Sequence, residues 1–429
     1  MDIFFLVWDA IVLNIFRNPP VLIGIIAVIG LALQKKRFED VLKGAVLAAL
    51  GLFMLIQGTT FISESITSLN LTFREVAGVT VPPGLDAGTF IEVYGSETGI
   101  AMFFGLILHV LIAKFTPIKT VFLTGHFLWW IPLTFVAAGV EGGLQGVPLV
   151  VLATITAALY WSFAPWILKK YVWDVTGDKT WMLGHPTGIL SIISANVAKR
   201  VGNKEKSTED INIPARLGFL REVPVVGFFT TFLIYIIMNI VMGGAISTFT
   251  GQPIFAHAVN MGLRFGVGLL ILLQGVRMFI GQIMPAFEGL SSTFLKNAIP
   301  AYDAPLIFPY RPNAVIIGFI LAMSISIPLM LVFNYFGVFG VMLVPIVITC
   351  FFELGTASVI GDGQGGLRGA LIGTAVATVV MVILLGWSSA LFATTIQNRM
   401  LTVSGNDYSL YGPIVIFIAR FLSAIGIGV

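Results

Sequence analysis

Residues 51–58 read GLFMLIQG and residues 268–275 read GLLILLQG, and this echo decides the fold. Gly51, Gln57 and Gly58 of the first copy return as Gly268, Gln274 and Gly275, an offset of 217 residues. The same offset carries Asp86-Ala87 in GLDAGTF onto Asp303-Ala304 in AYDAPLI. Each Gln-Gly is thus followed by an aspartate, 29 residues after its glutamine. Self-similarity at a fixed period marks a structural repeat, and two matches at one offset are hard to obtain by chance.

The repeat is embedded in a chain that is 57% hydrophobic and only 10% charged, with a mean hydropathy of +0.97. That composition excludes an ordinary soluble domain. Apolar runs close to the ~20 residues needed to cross a bilayer as a helix recur throughout. Spans are expected near 19–34, 41–62, 99–115, 121–140, 146–168, 223–247, 261–282, 313–333, 338–352, 368–392 and 411–429. The start, MDIFFLVWDAIVLNIF, has no basic n-region or small-residue cleavage site and reads as a retained helix. The single cysteine, Cys350, lies in the apolar run VPIVITCFF and reads as a packed core thiol, with no disulfide and no metal cage. The net charge of +3 forms no basic stripe, so no nucleic-acid partner is expected.

Lysine and arginine set the orientation, because cytoplasmic loops collect them. Lys35, Lys36, Arg37 and Lys43, then Lys114 and Lys119, then nine more from Lys169 to Arg221 mark the inner side, whereas 63–98 and 141–145 contain only Arg74. The N-terminus is expected outside and the C-terminus inside. The first repeat copy then runs outward and the second inward, the inverted arrangement of many carriers. The expected architecture is an all-α integral membrane protein with re-entrant hairpins. Its organisation is a first repeat at 1–168 (spans 1–5), a connection at 169–222 that includes the His185 stretch, and a second, inverted repeat at 223–429 (spans 6–11).

Backbone that leaves the helix inside a membrane is tolerated only where it is buried or lines a cavity. Breaker-rich stretches are therefore candidate sites: VPPGLDAGTF around Asp86, LTGHFLWW around His126, MLGHPTG around His185 and AYDAPLIFPYRPNA around Asp303. GDGQGGLRG at 361–369 is similarly placed in the second half, but no GK[ST] follows its glycines and no phosphate loop is expected. Each stretch also reads as a plain polar turn, and for Asp86 a solvated outer loop is an equal alternative. Asp303 and His126 lie against apolar sequence, where ionisable groups are functional by default. Carboxylate, neutral histidine and helix-start amides together suit a polyhydroxylated or weakly acidic solute. They equally suit proton coupling. Trp130 reads either as a stacking platform or as an interfacial anchor. Gln57 and Gln274 read as helix-holding residues.

NPPVLIG near the start, Gln57-Gly58, LTGH at 123–126, Gly184-His185, KSTEDINIP, LLQGVRMFIGQI and RPNAVIIGF at 311–319 together resemble the IIC permeases of the phosphoenolpyruvate-dependent sugar phosphotransferase system, ascorbate type. The resemblance implies a homodimeric carrier in the bacterial cytoplasmic membrane, with a core that moves like an elevator against a fixed scaffold. It also implies phosphorylation of the solute by a separate IIB protein, itself supplied by IIA; this chain has no catalytic group or cofactor of its own. Position by position, the resemblance puts solute contacts at Thr89, followed by Phe90 where a tyrosine is familiar, and at His126, His185 and Asp303. Two glutamines of the ascorbate type are replaced by Trp130 and Pro186. A pocket that loses hydrogen-bonding groups changes selectivity by orders of magnitude, so the expected solute is a sugar, sugar acid or polyol with an apolar face for Trp130. A proton-coupled secondary transporter of the same fold is the alternative.

Overall fold

The computed structural model describes residues 19–76, 84–85, 87–211, 222–295, 297–341, 343, 346–396 and 405–428. The helices are α1 (Pro19–Leu33), α2 (Phe38–Val76), α3 (Ala87–Phe115), α4 (Gly125–Glu141), α5 (Gly146–Thr176), α6 (Gly188–Val201), α7 (Val223–Val241), α8 (Ala245–Thr250), α9 (Ile254–Phe294), α10 (Pro312–Tyr335), α11 (Gly355–Phe392) and α12 (Tyr408–Ala424). Short strands β1 (Thr120–Phe122), β2 (Met182–Leu183) and β3 (Ile299–Tyr302) lie between them. Among the described residues, five helical stretches are long and apolar enough to cross a bilayer: Val93–Phe115, Gly146–Thr176, Ile254–Gly275, Pro312–Tyr335 and Cys350–Phe392. Phe127–Glu141, Gly227–Val241 and Tyr408–Ala424 are shorter apolar helices. On α5, the exposed Val147, Val151, Ile155, Leu159 and Phe163 recur every fourth residue. Such a stripe is a liability in water and a lipid face in a bilayer.

The helices pack as two groups. α1, α2, α7, α8 and α9 form one; α3 to α6, α10, α11, α12 and the strands form the other, with few contacts between them. At the heart of the first group α2 and α9 run antiparallel. Gly44 meets Gln282, Gly58 meets Gly268, Glu64 meets Arg264 and Ser68 meets His257, and in the turn before α2 Gln34 meets Pro285, so one number falls as the other rises. The centre of this ladder falls within the two repeated segments. A Cβ on Gly58 would stand 2.6 Å from the Gly268 carbonyl oxygen, so glycine here lets two backbones approach. Gly58→Leu is expected to destabilise by about 1–3 kcal/mol or more through overpacking. Gly281→Leu, on the same helix pair but with nothing among the described residues within 4 Å of its Cβ, is the matched control. Thermal unfolding in detergent checks both, and equal melting temperatures would count against this crossing.

Four sequence expectations need amendment. The all-helical fold carries three strands, and β1 occupies the start of the expected span 121–140. The outer loop expected at 63–98 is largely helical, because α2 runs on to Val76 and α3 begins at Ala87. Among the described residues the span expected at 338–352 is helical only from Val347 onward. Gly337 and Gly340 hold left-handed φ values of 60° and 67°, which break a helix there. Asn334 then pins the turn through paired bonds with Leu343. Helix resumes with one turn at Val347–Thr349 and a π turn at Cys350–Leu354, which lead directly into α11. Lastly, the described part of the connection, residues 169–211, is structured: α5 extends to Thr176, and α6 packs along α11.

Residues 203–210 clasp the second half. GDGQGGLRG is a kink in α11, non-helical at Gly365 and Gly366. The Asn203 amide donates to the Gly365 carbonyl (2.8 Å) and the Leu367 amide to the Lys206 carbonyl (2.6 Å). Buried Asp362 accepts from the Ser207 hydroxyl and the Thr208 amide, and Glu209 accepts from the Asn313 and Ala314 amides at the start of α10. The orphan donors of that helix start are thereby satisfied.

Candidate functional site

The strands form a parallel sheet in the order β1-β3-β2, with Thr120 opposite Ile299, Phe122 opposite Ala301, and Leu183 opposite Tyr302. β1 and β2 are fully buried, as suits a parallel sheet covered by helices. The strands pair the backbone amides that a non-helical segment would leave unsatisfied. His109 completes the edge of β1. Its Nε2 accepts from the Phe122 amide at 3.0 Å and its Nδ1 meets the Ser162 hydroxyl at 2.7 Å. Because Nε2 accepts, Nδ1 carries the proton and the ring is neutral.

All three strands point the same way, so their C-terminal ends lie together. β1 runs through Leu123-Thr124 into α4, which begins Gly125-His126. β2 runs through Gly184-His185-Pro186-Thr187 into α6. β3 runs into Asp303, which caps a short 3-10 turn. The LTGH, LGHP and AYDAP stretches thus converge on one place, held together by the Leu123 amide on the Ala301 carbonyl (2.9 Å) and the Gly184 amide on the Tyr302 carbonyl (2.6 Å). Gly184 is needed, since a Cβ there would crowd the Ala301 carbonyl, the Phe122 ring and the Thr124 hydroxyl at 3.0–3.1 Å. The crevice beyond the carboxyl ends of parallel strands, beside helix starts, is where α/β proteins hold ligands.

Within this convergence His185 Nε2 stands 3.7 Å from Asp303 Oδ1, both side chains almost fully buried. Asp303 Oδ1 also accepts from the Ala304 amide at 2.8 Å. The His185 ring packs edge-on against Phe127 (centroids 4.9 Å) and near Phe352 (6.2 Å), which restricts its orientation. The loop is anchored from behind by Asp407. That carboxylate accepts from the Gly188 amide (3.1 Å), the Ile189 amide (2.8 Å) and the Tyr160 hydroxyl (2.9 Å), and the Asp407 amide donates to the Pro186 carbonyl (3.0 Å). A carboxylate at a helix start complements the dipole and the unpaired amides there.

Glu353, in the π turn, is the other carboxylate of the site. Its Oε1 accepts from Asn406 Nδ2 at 2.9 Å, and its carbonyl accepts from the Thr187 hydroxyl at 2.8 Å. π turns insert one residue into a helix and recur at functional sites. Sequence reasoning passed over His109, Glu353, Asn406 and Asp407. Glu353 had a signal, being a lone carboxylate inside VPIVITCFFELG.

The remaining sequence candidates distribute as follows. His126 is the second residue of α4 and Thr89 the third of α3; the structure describes the backbone of both but not their side chains. Phe90 is fully buried, its ring 4.8 Å from Tyr94. Trp130 is half-buried, one turn beyond His126 on α4. Pro186 follows His185 and supplies the carbonyl that Asp407 holds. Asp86 lies outside the described residues. Gln57 and Gln274 lie on α2 and α9, in the other packing group. Cys350 is buried near the Ser326 hydroxyl.

The family model for EIIC-GAT, the PTS system sugar-specific permease component, matches residues 14–407 of the chain. The chain belongs to this family. A protein of Mycoplasma pneumoniae named the ascorbate-specific PTS system EIIC component is similar to it, at 22% identity over 455 aligned residues that take in 92% of this chain and 69% of the relative. The protein is therefore a multi-pass EIIC permease of the sugar phosphotransferase system, whose partners are a sugar and the IIB and IIA proteins. The strand-end convergence described above lies within the matched residues.

Proposed function

We propose that this EIIC permease binds a sugar, sugar acid or polyol at the three strand ends and releases it on the cytoplasmic side for phosphorylation by IIB. The observation that carries the reading is the convergence of LTGH, LGHP and AYDAP, with His185 and Asp303 side by side in a buried polar spot. Asp303 accepts hydrogen bonds from hydroxyls, His185 donates or accepts, and Thr89, Phe90, His126, Trp130 and Pro186 complete the proposed contacts, with Trp130 offering its face to an apolar side of the solute. Gln57, Gln274 and Asp86 support the helices around it.

The proposed movement is that of an elevator. The α2–α9 group serves as the fixed scaffold and dimer platform, and the group that holds the sheet carries the solute across as an elevator. Sparse contacts between the groups and the antiparallel repeat pair support this. The repeats at 1–168 and 223–429, joined by 169–222, take opposite topologies, with the N-terminus outside and the C-terminus inside.

Proton coupling is the second reading, favoured by the buried His185–Asp303 pair beside Glu353. Uptake into vesicles that contain the purified protein separates the two. With phosphorylated IIB inside, the phosphotransferase reading expects the sugar to accumulate as its phosphate and expects no accumulation without IIB. Accumulation of unmodified sugar driven by a proton gradient alone would decide for proton coupling.

A further inference from the structure

α3 and α5 lie side by side and touch midway. A Cβ on Gly105 would stand 3.4 Å from the Thr154 carbonyl oxygen, and His109 meets the Ser162 hydroxyl at 2.7 Å, so both numbers rise together and the helices are parallel. Toward their starts they part around a groove of about 540 Å³, walled by Ile100 and Phe104 of α3 and by Val147, Val151 and Ile155 of α5, with Glu97 among them. Phe104, Val147, Val151 and Ile155 are exposed, on the surface that suits lipid. Glu97 interrupts this apolar wall. It lies one turn inside the start of the apolar stretch Val93–Phe115, and its buried Oε2 has no hydrogen-bond partner among the described residues. Among those residues no lysine or arginine pairs with it either. An ionisable group at membrane depth is functional by default, and a buried carboxyl oxygen without a partner calls for a ligand that donates. The start of α5 brings the opposite character to the same groove. Gly146 and Val147 line it, the side chain of the N-cap Gln145 makes no capping bond, and uncapped amides at a helix start attract an anion.

We propose that this groove holds a phospholipid whose headgroup carries a primary ammonium, with the ammonium on Glu97, the phosphate at the start of α5 and an acyl chain along Phe104, Val151 and Ile155. In the proposed orientation both helix starts lie at the outer surface, the level of the headgroups of the outer leaflet. An acceptor beside a set of donors matches a zwitterion of adjacent ammonium and phosphate. An anionic headgroup instead brings net negative charge to the carboxyl and no N–H to satisfy it. Glu97 is only half-buried, so the empty groove does not seal its carboxyl from water, and a cation placed beside a carboxylate favours its charged form. The lipid fills the wedge between two helices of the group that holds the sheet, and a ligand bound only by the folded state stabilises it.

The test is native mass spectrometry and thermal unfolding of the purified, delipidated protein in detergent, titrated with phosphatidylethanolamine, phosphatidylglycerol or phosphatidylcholine of identical dioleoyl chains. One charge-assisted hydrogen bond is worth about a factor of ten, so the wild type is expected to bind phosphatidylethanolamine at least about tenfold more tightly than phosphatidylglycerol. Phosphatidylcholine, which has the positive charge but no N–H, should fall between them. Phosphatidylethanolamine should also raise the melting temperature most. Glu97→Gln is expected to melt as the wild type does without lipid, and to narrow the preference to about twofold. Val151→Trp, at an exposed position on the groove wall, is expected to weaken binding of all three lipids. A preference that survives Glu97→Gln overturns the assignment of Glu97, and one that survives Val151→Trp overturns the groove. Equal binding of the ethanolamine and glycerol lipids by the wild type overturns the headgroup. A second copy of the chain seated in the groove would appear as a dimer that Val151→Trp dissociates, without lipid preference, and would overturn the proposal as well. No solute enters these measurements, so the strand-end reading stands or falls separately.

Discussion

Replacing His185 by alanine is expected to lower solute affinity about 100-fold while leaving the protein folded. The ring is buried, stands 3.7 Å from Asp303 and is fixed by Phe127 and Phe352. A histidine so held loses little entropy on binding, and two hydrogen bonds at a desolvated site, whose loss leaves buried partners unpaired, are together worth about 3 kcal/mol. At about 1.4 kcal/mol per tenfold, that is two decades of affinity. The His185 loop is secured mainly through backbone contacts: the Gly184 amide, the Pro186 carbonyl and the Gly188 amide all have partners elsewhere. The melting temperature should therefore shift little. Calorimetry and thermal unfolding of the same sample check both halves, and unchanged affinity would remove His185 from the site.

Asp407→Ala is expected to have the larger effect on stability. It strands the Gly188 amide, the Ile189 amide and the Tyr160 hydroxyl in the interior. Each buried donor left unpaired costs about 1–3 kcal/mol, so a loss of about 3 kcal/mol or more is expected. It also unfastens the start of α6, which carries the His185 loop, and solute affinity should fall with stability. Asp407→Asn, which keeps one acceptor oxygen, should fall between the two. Wild-type melting behaviour in Asp407→Ala would show that the helix start has another anchor.

The two predictions touch residues of different legibility. His185 and Asp303 were readable because glycine, proline and an ionisable group interrupt apolar sequence, and such interruptions are costly in a membrane unless the backbone is buried. The repeat was readable because GLFMLIQG and GLLILLQG preserve the glycines that let α2 and α9 approach. The sheet was not. Strands of two to four residues, ML or TVF, show no period of two and disappear into the neighbouring apolar runs. Asp407 sits in SGNDY, whose composition reads as a turn, and only its contacts across the chain reveal it as an anchor. The 338–352 stretch shows the converse error: its hydropathy suits a continuous span, while Gly337 and Gly340 make turns at its start and helix resumes only at Val347.

The fold also explains why the connection between halves is more than a linker. α6 carries the His185 loop at its start and ends at the 203–210 clasp, which bonds the α11 kink and the start of α10. The clasp and the His185 loop thus stand at opposite ends of one helix of 14 residues. The basic residues Lys199, Arg200, Lys204 and Lys206 lie at this end, which is the cytoplasmic one in the proposed orientation.

The central claim is that the solute sits at the ends of the three parallel strands. A cryo-EM structure of the protein with its tightest-binding solute tests it most directly. The account predicts density beyond the C-terminal ends of β1, β2 and β3, within hydrogen-bond distance of His185 and Asp303. Density in the lipid-facing groove between α3 and α5, or between α2 and α9, with the strand ends empty, would contradict it.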